Sequence, residues 1–126
     1  SQFIFIDEPQ NIFFDQDDIN NFQTFGCYFS NTQGGRIHIG SGTYIAPNVG
    51  IITTDHDPKD PSRHLVPQDV IIGSKCWIGM NAVVLPGVTL GDHTTVAAGA
   101  VVKDSFPEGN CVLAGVPARV VKRIDL

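Results

Sequence analysis

Aliphatic residues return every six positions along most of the chain, at Ile39, Ile45 and Ile51, then at Ile72, Ile78, Val84, Leu90, Val96 and Val102. A small or short side chain recurs four residues after most of these, at Thr43, Val49, Cys76, Ala82, Val88, Thr94 and Ala100. Six is not a helical period. Residues two apart on a strand share a face, so a repeat of six is a short strand plus a corner. The residues two and three places after the aliphatics agree: Ser41-Gly42, Pro47-Asn48, Met80-Asn81, Pro86-Gly87, Asp92-His93 and Ala98-Gly99. Pro followed by Gly or Asn suits a type II turn, whose second central residue needs a positive φ. His93 fits the same place, since histidine tolerates the left-handed region.

Three such strands make a triangular coil, and stacked coils bury the aliphatic column, because no coil hides its own inner face. A hairpin sandwich would need strand and turn signals about every eight to twelve residues, a spacing this chain lacks. The pattern predicts an all-β fold, a parallel β-helix. Residues 1–35 do not keep the repeat, and "IFIDEPQNIFF" reads as an edge strand or cap over the open end of the prism. The expected organisation is an N-terminal cap or partial coil at 1–35, the β-helix at 36–106 with a flap loop at 53–69, and a C-terminal tail at 107–126 closing the helix.

The flap breaks the rhythm. Ile51 and Ile72 are 21 apart where the pattern needs six, and the intervening residues are polar or turn-forming. Loops of this length without structure of their own are usually functional. This one carries Asp55-His56-Asp57 and His64. Read by themselves, these side chains fit either a solvated loop or a base poised near neutral pH.

Composition narrows the function classes. With 126 residues the chain is one domain, and a net charge of −5 argues against a nucleic-acid or anionic-membrane surface. The charge is polarised: Asp7, Glu8, Asp15, Asp17 and Asp18 lie near the start, whereas Lys103, Arg119, Lys122 and Arg123 lie in the last quarter. Three cysteines without CxxC spacing predict neither a disulfide framework nor a cysteine-rich metal site, and a reduced, cytoplasmic setting is expected. Cys76 falls on an inward small-residue position and reads as core, not as a nucleophile. The first residues have neither a basic n-region nor a long apolar run, so no signal peptide or membrane span is expected. Trp77 precedes Ile78 and therefore points outward, as do Ile71, Val83 and Val101. Such exposed apolar area predicts a ligand or a partner subunit. His38 also points outward, toward a subunit seam.

Residues 36–124 resemble the hexapeptide-repeat acyltransferases, in the branch of maltose, galactoside and nodulation-factor O-acetyltransferases. The stretches that carry the resemblance are "IGSGTYIAPNVGI", "VIIGSKCWIGMNAVVLPGVTLGDHTTVAAGAVVKD" and "VLAGVPARVVKRI". It implies a left-handed β-helix, acetyl-CoA as co-substrate, and side-by-side homotrimers with active sites in the grooves between prisms. His56 holds the place of the family's catalytic base, just where the flap leaves the prism, and Trp77 matches a tryptophan lining the site. Asp55 is a further substrate-side candidate beside the base. Coenzyme A needs a slot and a cationic end. "VAAGA" offers the slot at Ala97 and Ala98, with Gly79 and Met80 beside it, and Lys103, Arg119 and Lys122 offer cations for the phosphates.

Three departures from the family pattern matter. Galactoside-type enzymes have serine or glycine where this chain has Met80, so only a backbone N–H is offered there. They carry a lysine one place after Lys103, where this chain has Asp104. Their acceptor-binding asparagine corresponds by counting to Gly26, for which Asn31 or Ser30 would substitute. The expected function is O-acetylation of a sugar or glycan precursor with His56 as general base. The rival classes are N-acetylation of an amino sugar and a non-catalytic or metal-binding β-helix. No metal is expected, because the four histidines contain no close pair beyond His56 and His64, eight residues apart.

Overall fold

The computed structural model describes residues 5–22 and 26–126. Short strands alternate with corners. The N-terminal end carries β1 (Phe5–Ile6) and β2 (Ile12–Phe13), and the next coil β3 (Tyr28–Ser30), β4 (Ile37–Ile39) and β5 (Tyr44–Ile45). β6 (Gly50–Ile52) is followed by a two-stranded excursion, β7 (His56–Asp57) and β8 (Asp60–His64), before the coil resumes with β9 (Val70–Ile72) and β10 (Trp77–Ile78). A further coil comprises β11 (Val83–Val84), β12 (Thr89–Leu90) and β13 (Thr94–Val96). The chain ends with β14 (Val101–Val102), β15 (Cys111–Gly115) and β16 (Ala118–Arg123).

Each turn of the coil adds one strand to each of three sheets, ordered β1-β3-β6-β11-β14, β2-β4-β9-β12 and β5-β10-β13-β15-β16. All pairings in these sheets are parallel except the closing β15–β16 pair. The register places like on like: Ile45 beside Ile78 beside Val96 beside Leu113, and Ile39 beside Ile72 beside Leu90. All nine periodic aliphatics and all seven short residues are buried in one core. Two of the short residues are threonines whose hydroxyls are satisfied locally, Thr43 Oγ1 donating to Gly73 O at 2.7 Å and Thr94 Oγ1 to Gly91 O at 2.7 Å. The second residue of all six corners has φ between 57° and 80°, and Lys75 makes a seventh such corner at 54°. His93 is among them, as a turn residue.

The N-terminal end is an irregular coil. β1 and β2 extend two of the sheets, while the third side is a 3-10 segment, Gln16–Phe22, lying against β5. A buried asparagine does there what backbone does elsewhere: Asn21 Nδ2 donates to Thr43 O at 2.6 Å and its Oδ1 accepts from Ile45 N at 2.9 Å. Asn31 acts likewise between coils, accepting from Glu8 N at 2.8 Å and donating to Glu8 O at 2.7 Å. Among the described residues no helix is long and apolar enough to cross a membrane.

The outward apolar residues do not form one stripe. Trp77 lies on the third sheet beside Tyr44, Ile71 on the second, and Val83 and Val101 on the first. The three-fold repeat sends successive outward positions to successive faces. His38 is half-buried and stacked on Phe13, with ring centroids 4.7 Å apart and planes nearly parallel, 14° from one another.

Candidate active site

The excursion is a hairpin fastened at its base. Thr53 is buried and bonds through both N–H and Oγ1 to Ser30 O (2.9 and 3.1 Å), and Thr54 Oγ1 donates to Thr32 O at 3.3 Å. Gln68 N closes the neck on Thr53 O at 2.8 Å. Beyond this base, β7 and β8 pair antiparallel with no cover from the core, and every residue of β8 is exposed.

His56 is the first residue of β7. Its Nδ1 lies 2.8 Å from the Pro61 carbonyl oxygen. A carbonyl only accepts, so Nδ1 carries the proton, and in the neutral ring the lone pair is on Nε2, directed away from the turn. That is the tautomer a general base requires. Neither flanking acid makes this bond. Asp57 Oδ1 accepts from Lys59 N at 2.9 Å and so shapes the turn, and among the described residues the Asp55 carboxylate has no hydrogen-bond partner.

From the sequence, His64 could bind an acceptor or sit in solvent. The structure instead pairs it directly across the hairpin from His56, with ring centroids 4.5 Å apart and planes inclined by 37°. Pro61 and His64 are the two contacts the sequence reading missed. The signal for them was the Pro58-Lys59 turn, which folds residue 64 back opposite residue 56.

A groove of about 270 Å³ runs along another corner of the prism, lined by Ala46, Trp77, Gly79, Met80, Ala97 and Ala98 among others. Five residues assigned to the site from sequence are thus together. Small side chains open it, and the rows Ile78–Val96–Leu113 beneath it fix its floor. Gly79 is buried and required by stacking: a Cβ there would lie 2.7 Å from both Ala98 N and Val96 O. Trp77 is 58% exposed and divides this groove from a wider cleft of about 640 Å³ bordered by Tyr44 and Lys75.

Toward the C-terminal end Ala97 N donates to Leu113 O at 2.8 Å, and the next residue, Ala114, pairs in register with Arg119. Lys122 pairs with Val112 in the outward row that contains Trp77 and Thr95. Lys103 stands at the corner after β14 and is linked to Arg119 through Asp104, whose Oδ2 lies 3.2 Å from Lys103 Nζ and 3.5 Å from Arg119 Nη1. All three side chains are exposed, so these ion pairs are weak and open to competition.

Asn31 is the correction. It is fully buried and both amide groups are spent on the Glu8 backbone, so it clamps two coils and offers nothing to an acceptor. Cys76 is buried with its Sγ 3.3 Å from Gly91 O, and burial pushes its thiol up, as it does that of Cys111. Both are kept as protonated thiols, unsuited to nucleophilic work. Among the described residues no group of three His, Cys, Asp or Glu side chains could hold a metal ion.

Topology keeps His56 and the groove apart. The hairpin leaves the corner between β6 and β9, whereas the groove lies at the corners after β10 and β13. One prism therefore carries the histidine hairpin at one corner and the groove at another, on a coil whose repeat unit is six residues. This defines a hexapeptide-repeat protein. The model of the bacterial transferase hexapeptide (six repeats) matches residues 69–104, and the chain belongs to the hexapeptide-repeat transferase family. It is 38% identical over 92 residues to the galactoside O-acetyltransferase of Escherichia coli, covering 71% of this chain and 45% of that protein. Among solved structures it is similar to a maltose O-acetyltransferase from Clostridium difficile (TM-score 0.68, 29% identity, 99% of this chain and 72% of that one). It is also similar to a galactoside acetyltransferase in complex with coenzyme A (TM-score 0.68, 27% identity, 98% of this chain and 63% of that one). The chain spans about half the length of the curated relatives it matches.

Proposed function

We propose that this chain is an acetyl-CoA-dependent O-acetyltransferase that acetylates a hydroxyl of a sugar or glycan precursor by direct transfer. The observation that carries the reading is the bond from His56 Nδ1 to the Pro61 carbonyl, which leaves Nε2 free to accept a proton. The solved galactoside acetyltransferase holding coenzyme A supports the choice of donor.

Acetyl-CoA supplies an acetyl thioester, and the net reaction exchanges its C–S bond for an ester C–O bond with release of free thiol. His56 takes the acceptor hydroxyl proton at Nε2 as the oxygen attacks, and returns it to the departing sulfur. The Met80 backbone N–H is the donor offered to the carbonyl oxygen as it gains charge. Ala97 and Ala98 leave room for the pantetheine arm in the groove, and Arg119, with Lys122 and Lys103, holds the phosphates. Trp77 walls the donor off from the acceptor side, and Asp55 stands free to meet an acceptor hydroxyl beside the base.

A complete site on this reading needs a second prism, since His56 and the groove occupy different corners. The proposed assembly is a homotrimer of left-handed coils in which the hairpin of one subunit faces the groove of the next. Light scattering should return a trimer, and a stable monomer at micromolar concentration would remove the shared site.

The test is thiol release from acetyl-CoA against a panel of sugars, amino sugars and serine, with the product weighed by mass spectrometry. Ester formation on a sugar is the expected result. A strong preference for amino sugars with an amide product would convert the reading to N-acetylation, and no release with any acceptor would overturn it.

A further inference from the structure

We infer that His64 is the positioning residue for His56, holding the plane of its imidazole so that Nε2 points out of the hairpin. The inference rests on His56 as general base and goes beyond it by naming what aims the base.

An imidazole on a surface hairpin has no core to fix its rotamer. β8 is exposed at every residue, and His56 is exposed as well. Orientation must therefore come from within the hairpin. None of the hairpin's carboxylates bonds the ring: Asp57 accepts from Lys59 N, Asp60 accepts from Ser62 N at 3.2 Å and Ser62 Oγ at 2.6 Å, and Asp55, the preceding residue, makes no hydrogen bond among the described residues. Two contacts remain, the Pro61 carbonyl at one ring edge and the His64 ring against one face.

These contacts do different things. The carbonyl fixes which nitrogen carries the proton only while that bond is made, and one exposed bond does not stop the ring from swinging off it. A flat ring 4.5 Å away, directly opposite on the paired strand, blocks the swing on its side, as cross-strand neighbours on one face of a hairpin do. Edge bond and face contact together define a plane, and a defined plane aims Nε2. Proton abstraction depends steeply on that aim, since a misplacement of about 1 Å can cost on the order of 10²-fold in rate.

The test compares His64→Ala, which removes the ring, with His64→Phe, which restores a flat ring without its nitrogens. His64→Ala should lower kcat by about tenfold or more and leave KM for acetyl-CoA unchanged, while His64→Phe should recover most of the loss. Nitrogen-15 NMR of the His56 imidazole at alkaline pH reads the geometry without turnover. Wild type and His64→Phe should show one tautomer, protonated at Nδ1, and His64→Ala an average of two. Wild-type kcat and a single tautomer in His64→Ala would overturn the inference. So would His64→Phe being as impaired as His64→Ala, because the nitrogens and not the ring face would then matter. If His56→Ala turns over normally, the general-base reading fails instead. The NMR comparison still decides whether His64 holds the ring.

Discussion

The prism and the hairpin are built on opposite principles. In the prism every periodic side chain is buried against its own kind one coil away, and the threonine hydroxyls that enter the core are satisfied within it. In the hairpin nearly every side chain is exposed, two of its acids, Asp57 and Asp60, shape turns, and the His56 ring meets a single carbonyl and one neighbouring ring. A region with many interchangeable contacts stores stability, whereas a region with few specific ones stores geometry. Stability and turnover should therefore come apart when each is struck separately.

The sharpest separation comes from His56, the proposed base. His56→Ala should lower kcat by about 10² or more, since general-base catalysis contributes roughly 10²–10⁴, while thermal melting stays at the wild-type temperature because no core contact is lost. Normal turnover in this variant would move the chemistry elsewhere. The reciprocal change is Ile72→Ala in the middle of the second sheet's inward row, away from the groove. Deleting a fully buried aliphatic should cost about 2–5 kcal/mol by denaturant titration, with turnover per folded molecule retained. Equal loss of both properties in either variant would break the contrast between the two regions.

Smaller effects sharpen it. Arg119→Glu, at the end of the groove, should raise KM for acetyl-CoA by about tenfold and change kcat little, because a phosphate contact remote from the thioester binds ground and transition states alike. The same variant assayed with acetyl-pantetheine, which has no such phosphates, should show no KM change. Gly99→Ala tests the corners: its φ is 74° and no atom would lie within 4 Å of the added Cβ, so only backbone strain remains, about 1–2 kcal/mol. Cys76→Ser should leave kcat unchanged, since burial keeps that thiol protonated and away from the groove, and a large loss would reopen a covalent mechanism.

The prism was legible in the sequence because its determinants are local and repeated. Six-residue spacing of aliphatics, short residues four places on and turn residues at fixed offsets each act within one coil, and stacking copies the same contact from coil to coil. The groove was legible for the same reason: Gly79, Met80, Ala97 and Ala98 fall at equivalent corners and line up when the coils stack. The irregular coil was not, because Asn21 and Asn31 replace backbone bonds with amide bonds to residues 22 to 24 positions away, which no period announces. Asn31 was consequently read as a ligand when it is a clamp.

What the sequence determined by itself was the repeat, the core, the corners and the place where the excursion leaves the coil. Only the tertiary structure decided that the excursion is a paired hairpin, that His64 returns to face His56 while Asp55 and Asp57 do not, and that His56 and the groove stand at different corners. The physical reason is the range of the contacts. A six-residue period reports interactions that every coil repeats, but a single antiparallel pairing and the angular positions of two corners arise once each, from how the chain closes on itself in space.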